Sequence, residues 1–317
     1  MPQSPFPRFR PLAGGLLLAV VALAWLAAPV GAAPGQLTPR PELLADGAWL
    51  EKNLGAPGLR VVDLRSREAY RAGHIPGAVH LPVSDLLAVR DGIPAMLPPV
   101  PLVAARLGAA GIGADTVVVA YGDAGGLHAA RLFWTLDYLG QQKGRVLDGG
   151  WPGWQGAGRA VSRETPRVTA VNFPVRVQPR RLADRKWMIA HLNDKTIAMV
   201  DARSLPEYKG LVRYARRGGH IPGAIGFNWR NHFQRKRPGF MRPAAELTAE
   251  YEAHGLSGKK EIAVYCQVMM RASHSYFVLR WLGYPNVRGY DGSWAEWGNR
   301  PDTPVANERT LALPLGR

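Results

Sequence analysis

The sequence predicts an α/β protein of two tandem domains, each a doubly wound parallel sheet flanked by helices. Three observations predict it. The chain is written twice, each copy alternates short β-branched runs with helical stretches, and those runs are apolar along nearly their whole length. "RVVDLRSREAYRAGHIPGAVHLP" at 60–82 returns as "AMVDARSLPEYKGLVRYARRGGHIPGAIGFNW" at 198–229. "TVVVAYGDAGGLHAARLFWTLDYLGQQKGRVLDGGWPGW" at 116–154 returns as "EIAVYCQVMMRASHSYFVLRWLGYPNVRGYDGSWAEW" at 261–297. A repeat this long is a duplicated globular domain, not a solenoid turn. Continuous apolar strands belong to a parallel sheet covered on both faces.

In chain order, residues 1–33 come first. Arg8 and Arg10 precede "LAGGLLLAVVALAWLAA", and the small residues Val30, Gly31 and Ala32 follow. This reads as a secretory signal peptide, cleaved after Ala32 or Ala33. Left uncleaved, the run from Leu12 is long enough to hold the chain to a membrane. The folded part is therefore expected outside the cytosol, in the periplasm. Residues 37–157 form the first domain, with helices at 40–55, 101–111 and 129–140 and strands at 60–64, 116–121 and 145–150. Several of these helices end in glycine, which readily takes the left-handed turn that closes a helix. Residues 158–182 show little periodicity and read as a linker draped along the surface. The second domain, 183–305, places strands at 196–202, 261–266 and 287–292 and helices at 243–255 and 273–283. Residues 306–317 read as an irregular tail.

The net charge of +16 suits small anions, membrane phosphates or nucleic acid. Export argues against nucleic acid and no nucleic-acid motif occupies the basic patches at 176–186, 213–217 and 230–237, so no nucleic-acid partner is expected. The single cysteine, Cys266, cannot form an intramolecular disulfide. In an oxidising compartment an unpaired thiol is either buried or used.

Ligands of open parallel sheets bind beyond the carboxyl ends of the strands. Cys266 follows the strand "EIAVY", and Gln267, Val268, Met269, Met270 and Arg271 turn the chain into the next helix. The free N–H groups and positive dipole end at a helix start favour thiolate over thiol. Arg271 adds a fixed charge with a fork of donors suited to oxyanions. The two copies differ around this edge. Eleven positions separate Asp63 from His74, but nineteen separate Asp201 from His220. The extra residues bring Lys209, Arg213, Arg216 and Arg217, and the three arginines are candidate anion attractors. In the first copy the cysteine position falls on Gly122 or Asp123, neither a nucleophile, so that domain is expected to be catalytically silent.

"DLR" and "DAR", the paired "GHIPGA" stretches, "LDGGW", "YDGSW" and "CQVMMR" together resemble the rhodanese family. The resemblance is to its tandem-domain thiosulfate and 3-mercaptopyruvate sulfurtransferases, and covers about 37–305. It implies that the Cys266 thiolate takes the outer sulfur of thiosulfate, or of a related donor such as 3-mercaptopyruvate, as a persulfide. Cyanide or a thiol then removes that sulfur, in two half-reactions. It implies backbone amides of the loop around the persulfide, Arg271 holding the loop or attracting the donor, and neither cofactor nor metal. Some members carry an arginine near Glu207, where a glutamate would repel an anionic donor. Met269 and Met270 are expected to make the pocket mouth apolar.

His74 and His220 recur in both copies and so read as architectural, as do the pairs Asp63–Arg65 and Asp201–Arg203. Trp151, Trp154, Trp294 and Trp297 read as packing, and His274 as facing along its helix. Three rival readings stand beside sulfur transfer. A phosphatase or arsenate reductase would use a longer loop, with arginine at 272, where this chain has Ala272. Cys266 with Met269 and Met270 offers soft ligands to copper(I). A sulfur carrier would load persulfide for a partner protein.

Overall fold

A computed structural model of the chain describes residues 1–2 and 37–307, so residues 3–33 of the expected signal peptide and the tail beyond 307 lie outside the described residues. No helix among the described residues is long and apolar enough to cross a membrane.

The first domain runs β1 Leu44–Ala45, α1 Gly47–Asn53, β2 Leu59–Asp63, α2 Arg67–Ala72, β3 Val79–His80, β4 Ala88–Arg90, β5 Ile93–Met96, α3 Val100–Ala109, β6 Val117–Tyr121, α4 Leu127–Tyr138, β7 Gly144–Leu147 and α5 Gly150–Gly156. Its five parallel strands lie in the order β1-β7-β6-β2-β3. The second domain repeats the plan: β8 Leu182–Ala183, α6 Arg185–Ala190, β9 Ile197–Asp201, α7 Leu205–Tyr208, β10 Ile225–Gly226, β11 Phe233–Gln234, β12 Arg237–Met241, α8 Ala244–Ala253, β13 Glu261–Tyr265, α9 Met270–Trp281, β14 Val287–Tyr290 and α10 Ser293–Trp297. Its sheet is β8-β14-β13-β9-β10, again all parallel. The central strands are buried, as apolar runs with helices on both faces require.

The expected helix over 40–55 is only half present. Asp46 accepts the Trp49 N–H at 2.8 Å and so caps α1 at Gly47. Leu44 and Ala45 instead extend the sheet beside Val146 and Leu147. Two-residue edge strands are too short to show a period of two.

The linker stretch does more than drape. Ser162 exchanges two backbone hydrogen bonds with His74, and the Val171 and Arg176 amides bond Gly108 and Leu139. Gly140, at φ +87°, lies so close to the Arg176 carbonyl that a Cβ there would collide with it. At the other end, Ala306 makes the matching pair of bonds to His220, so the chain is still ordered where the tail was expected to start.

The two domains share one large core. Phe133 of α4 meets Phe277 of α9 edge to face at 5.1 Å, while Asp137 accepts from Tyr276 at 2.7 Å and Arg280 at 3.1 Å. Each domain also sends an antiparallel hairpin across the other. Beyond β4–β5, the Leu97 amide donates to Asp291 at 2.7 Å; from β11–β12, the Met241 amide donates to Asp148 at 2.9 Å. Asp148 and Asp291 are the aspartates of the matched motifs "LDGGW" and "YDGSW".

Candidate active site

Strand register fixes which residue of the first domain matches the cysteine. Asp63 lies opposite Tyr121, and Asp201 opposite Tyr265. Gly122 and Cys266 are the next residues, and their carbonyls accept from Trp151 and Trp294 respectively, both at 2.9 Å. Gly122, not Asp123, is therefore the counterpart of Cys266 in the first domain.

Both repeats build the same scaffold under this edge. Arg65 and Arg203 each form a buried pair with the aspartate two residues before, at 2.6 Å, and donate onward to Gly73 and Gly219. Trp151 and Trp294 cover those guanidinium groups at 4.1 and 4.4 Å. His74 and His220 stack on Tyr70 and Tyr208 and bond their carbonyls. These motifs are architecture in both copies.

The cysteine loop is where the copies diverge. Met269 takes left-handed backbone, φ 55°, at the start of α9, and the loop folds back over α10. There Ser293, itself at φ 48°, places its Oγ under the loop to accept the amides of Cys266 at 3.3 Å and Met269 at 3.0 Å. The same hydroxyl donates to the Tyr290 carbonyl. Those two loop amides are thus taken by a side chain. Ser293 was missed at the sequence level. The signal was one residue: "YDGSW" has serine where the first copy's Gly150 stands, also at positive φ.

Cys266 has no exposed surface. It lies beneath the loop, against the shared core. Met269 is also fully buried, and its methyl reaches Gly289 beside Trp134. Of the two methionines expected to make the mouth apolar, Met269 is buried and only Met270 keeps exposed surface.

Arg271 is not a free anion receptor. Its Nη1 and Nη2 donate to the two oxygens of Glu207 at 2.7 and 2.8 Å. Burial pulls this guanidinium down, but Glu207 and the nearby Cys266 sulfur outweigh it and raise its pKa. Burial pushes Glu207 up, but Arg271 and the Ser204 hydroxyl and amide overcome it and hold the carboxyl at about 2. The expected repulsion of a donor by Glu207 is therefore neutralised by Arg271.

The insertion's arginines separate. Arg217 is tied into the chain's end by bonds to the Trp297 and Thr303 carbonyls at 2.8 and 2.6 Å, so it is structural. Arg213 and Arg216 are exposed. The insertion does reach the loop, because Gln267 Nε2 donates to the Tyr214 carbonyl at 3.1 Å. His274 does not face along its helix. It is buried, with Nδ1 3.1 Å from His232 Nδ1.

A family model described as "Rhodanese-like domain" matches residues 46–157 and 184–300. Thiosulfate sulfurtransferase of Azotobacter vinelandii is 37% identical over 263 residues, covering 83% of this chain and 96% of its own. Sulfur carrier protein TtuD of Thermus thermophilus is 35% identical over 289 residues, covering 84% and 97%. Among solved structures, the anaerobic ergothioneine biosynthesis enzyme from Chlorobium limicola, in complex with trimethyl histidine, superposes with a TM-score of 0.75 at 29% identity. That match covers 84% of this chain and 70% of that one.

Proposed function

The chain belongs to the rhodanese family, and from that premise we propose that it transfers sulfane sulfur from thiosulfate, through a persulfide on Cys266, to a thiol or cyanide. A sulfurtransferase activity follows from its relatives; donor, acceptor and route are our reading. The observation that carries the reading is the loop itself. It holds the only cysteine at a sheet's carboxyl edge, closed by Arg271 and gathered from below by Ser293.

In the first half-reaction the Cys266 thiolate attacks the outer sulfur of thiosulfate. A new S–S bond forms, the donor's own S–S bond breaks, and sulfite leaves with the electron pair. The terminal persulfide sulfur then faces the remaining loop amides, whose partial positive charge stabilises it. In the second half-reaction the acceptor attacks that terminal sulfur and the electron pair returns to Cys266. Arg271 acts here as a fixed local charge held by Glu207, not as a hand that grasps the donor. A loop of this length, with Ala272 where a longer one would need arginine, favours a single sulfur over a tetrahedral oxyanion. The basic, apolar leader at 8–33 supports an exported location, in which a buried thiol is protected.

The test is mass spectrometry of the protein incubated with thiosulfate. A gain of one sulfur atom on the peptide that holds Cys266, lost in Cys266→Ser and removed by cyanide, is the expected result. Aryl phosphate turnover dependent on Cys266, with no sulfur gain, would favour oxyanion chemistry instead.

A further inference from the structure

We propose that the segment 205–217 is a docking rim for a protein acceptor that presents its thiol on an acidic, apolar stretch; this rests on the persulfide reading above. The segment is fastened to both ends of the cysteine loop, by Glu207 to Arg271 and by the Tyr214 carbonyl to Gln267. Between those ties it exposes Leu211 at 70% and Val212 at 40%, with Tyr214 at 67% at the second tie and Leu205 at 59% just before the first. The Leu211 and Val212 amides both bond the Pro206 carbonyl, which folds the chain back over the start of α7 and brings these residues onto one turn.

Single exposed apolar residues are ordinary, but a group beside a reactive loop marks an interaction site. The silent copy, eleven residues from Asp63 to His74, has neither the insertion nor any such group in its matching segment. Thiosulfate and cyanide gain nothing from leucine and tyrosine outside the loop, whereas a protein surface does.

Charge selects among protein occupants. Arg213 and Arg216 are exposed, and among the described residues their side chains meet no carboxylate. Arg216 also lines a groove of about 650 Å³ that continues past Ala295 to the tip of the first domain's hairpin at Asp91 and Ile93. An acidic stretch complements these arginines. A second copy of a chain with net charge +16 does not, nor do residues 308–317, with two arginines against one glutamate. A membrane lying on Tyr214 would cover the loop that the donor has to reach.

The test begins with the full chain bearing Cys266→Ser, so that binding is read without sulfur chemistry. Fluorescence anisotropy compares a cysteine peptide of alternating glutamate and leucine with one in which lysine replaces each glutamate. The acidic peptide is expected to bind at least about tenfold more tightly, and the Leu211→Ser/Tyr214→Ser variant to lose about tenfold of that affinity. On persulfide-loaded Cys266, the same pair of substitutions is expected to lower the rate of discharge to the peptide relative to cyanide. Equal binding of the two peptides, or binding untouched by the substitutions, overturns the proposal. So does binding to phosphatidylglycerol vesicles that the substitutions abolish, or peptide binding that appears only once residues 308–317 are removed. A chain that binds the acidic peptide at this rim but never gains sulfur on Cys266 sustains the rim and counts against the persulfide reading.

Discussion

Glu207 grips both terminal nitrogens of Arg271, at 2.7 and 2.8 Å, while also accepting from the hydroxyl and amide of Ser204 at the start of α7. One carboxylate thus caps a helix and pins the residue that closes the cysteine loop. Glu207→Gln is expected to cost about 1–3 kcal/mol, as loss of hydrogen bonds to a charged group does. The pH dependence has a defined sign. The carboxyl is lowered in the fold from 4.5 to about 2, so its contribution is complete above 4.5 and is lost as pH falls through 2. The gap in urea midpoint between wild type and Glu207→Gln should therefore shrink as pH is lowered across that window; a constant gap would count against the assignment.

Ser293 separates folding from chemistry. Its Oγ collects two loop amides, but its backbone sits at φ 48°, which glycine adopts without strain. Ser293→Gly trades lost hydrogen bonds for relieved backbone and is expected to stay within about 1 kcal/mol of wild type. Sulfur loading on Cys266 should nonetheless fall by about tenfold or more, because the loop amides are no longer gathered. Ser293→Ala, which keeps the strain, should be the less stable of the two in thermal denaturation.

Burial of Cys266 predicts reactivity graded by size. Thiolate chemistry requires access as well as ionisation. With no exposed surface on Cys266, iodoacetamide should label it more slowly than a free cysteine, and a bulky maleimide more slowly still. Unfolding in urea should bring all rates together. Equal native rates for small and bulky reagents would show that the sulfur is open to solvent.

The tandem fold was legible because the chain states it twice, and comparison of the copies exposes what differs, Cys266 against Gly122 among them. Glu207 was legible only as a charge. Its partner is sixty-four residues away, and no local pattern announces a bidentate ion pair across that distance. Met269 and Met270 looked alike in sequence, yet one left-handed backbone angle sends Met269 into the core. The exchange of hairpins between domains left no trace in either copy, because β4–β5 and β11–β12 find their partners only after both sheets exist.

That exchange gives the first domain a measurable part in the second domain's loop. Arg131 of α4, fully buried, donates to Asp291 at 3.1 Å, and Asp291 stands two residues before Ser293. Arg131→Met leaves a buried carboxylate without its cation, which typically costs about 3–5 kcal/mol. Arg131→Met/Asp291→Asn should recover part of that loss. Additive losses across this double-mutant cycle, measured by chemical denaturation, would show that the two groups do not interact.

The buried pair His232 and His274 predicts how the fold fails in acid. His274 is enclosed by Trp229, Phe233 and Phe277. Burial lowers its pKa from 6.5 to about 3, and burial followed by repulsion from His274 lowers His232 as well. Below pH 6.5 the unfolded chain binds protons that the folded chain refuses, so stability is full above 6.5 and falls as pH drops toward 3. The two facing Nδ1 atoms, 3.1 Å apart, cannot both carry a proton without parting the rings, whose centroids are 5.1 Å apart. His232→Phe/His274→Phe should lower stability at neutral pH, since the Tyr251 hydroxyl loses its bond to His232. Its stability should nevertheless decline less steeply between pH 6.5 and 4 than that of the wild type. Equal slopes for the two proteins would place the acid sensitivity elsewhere.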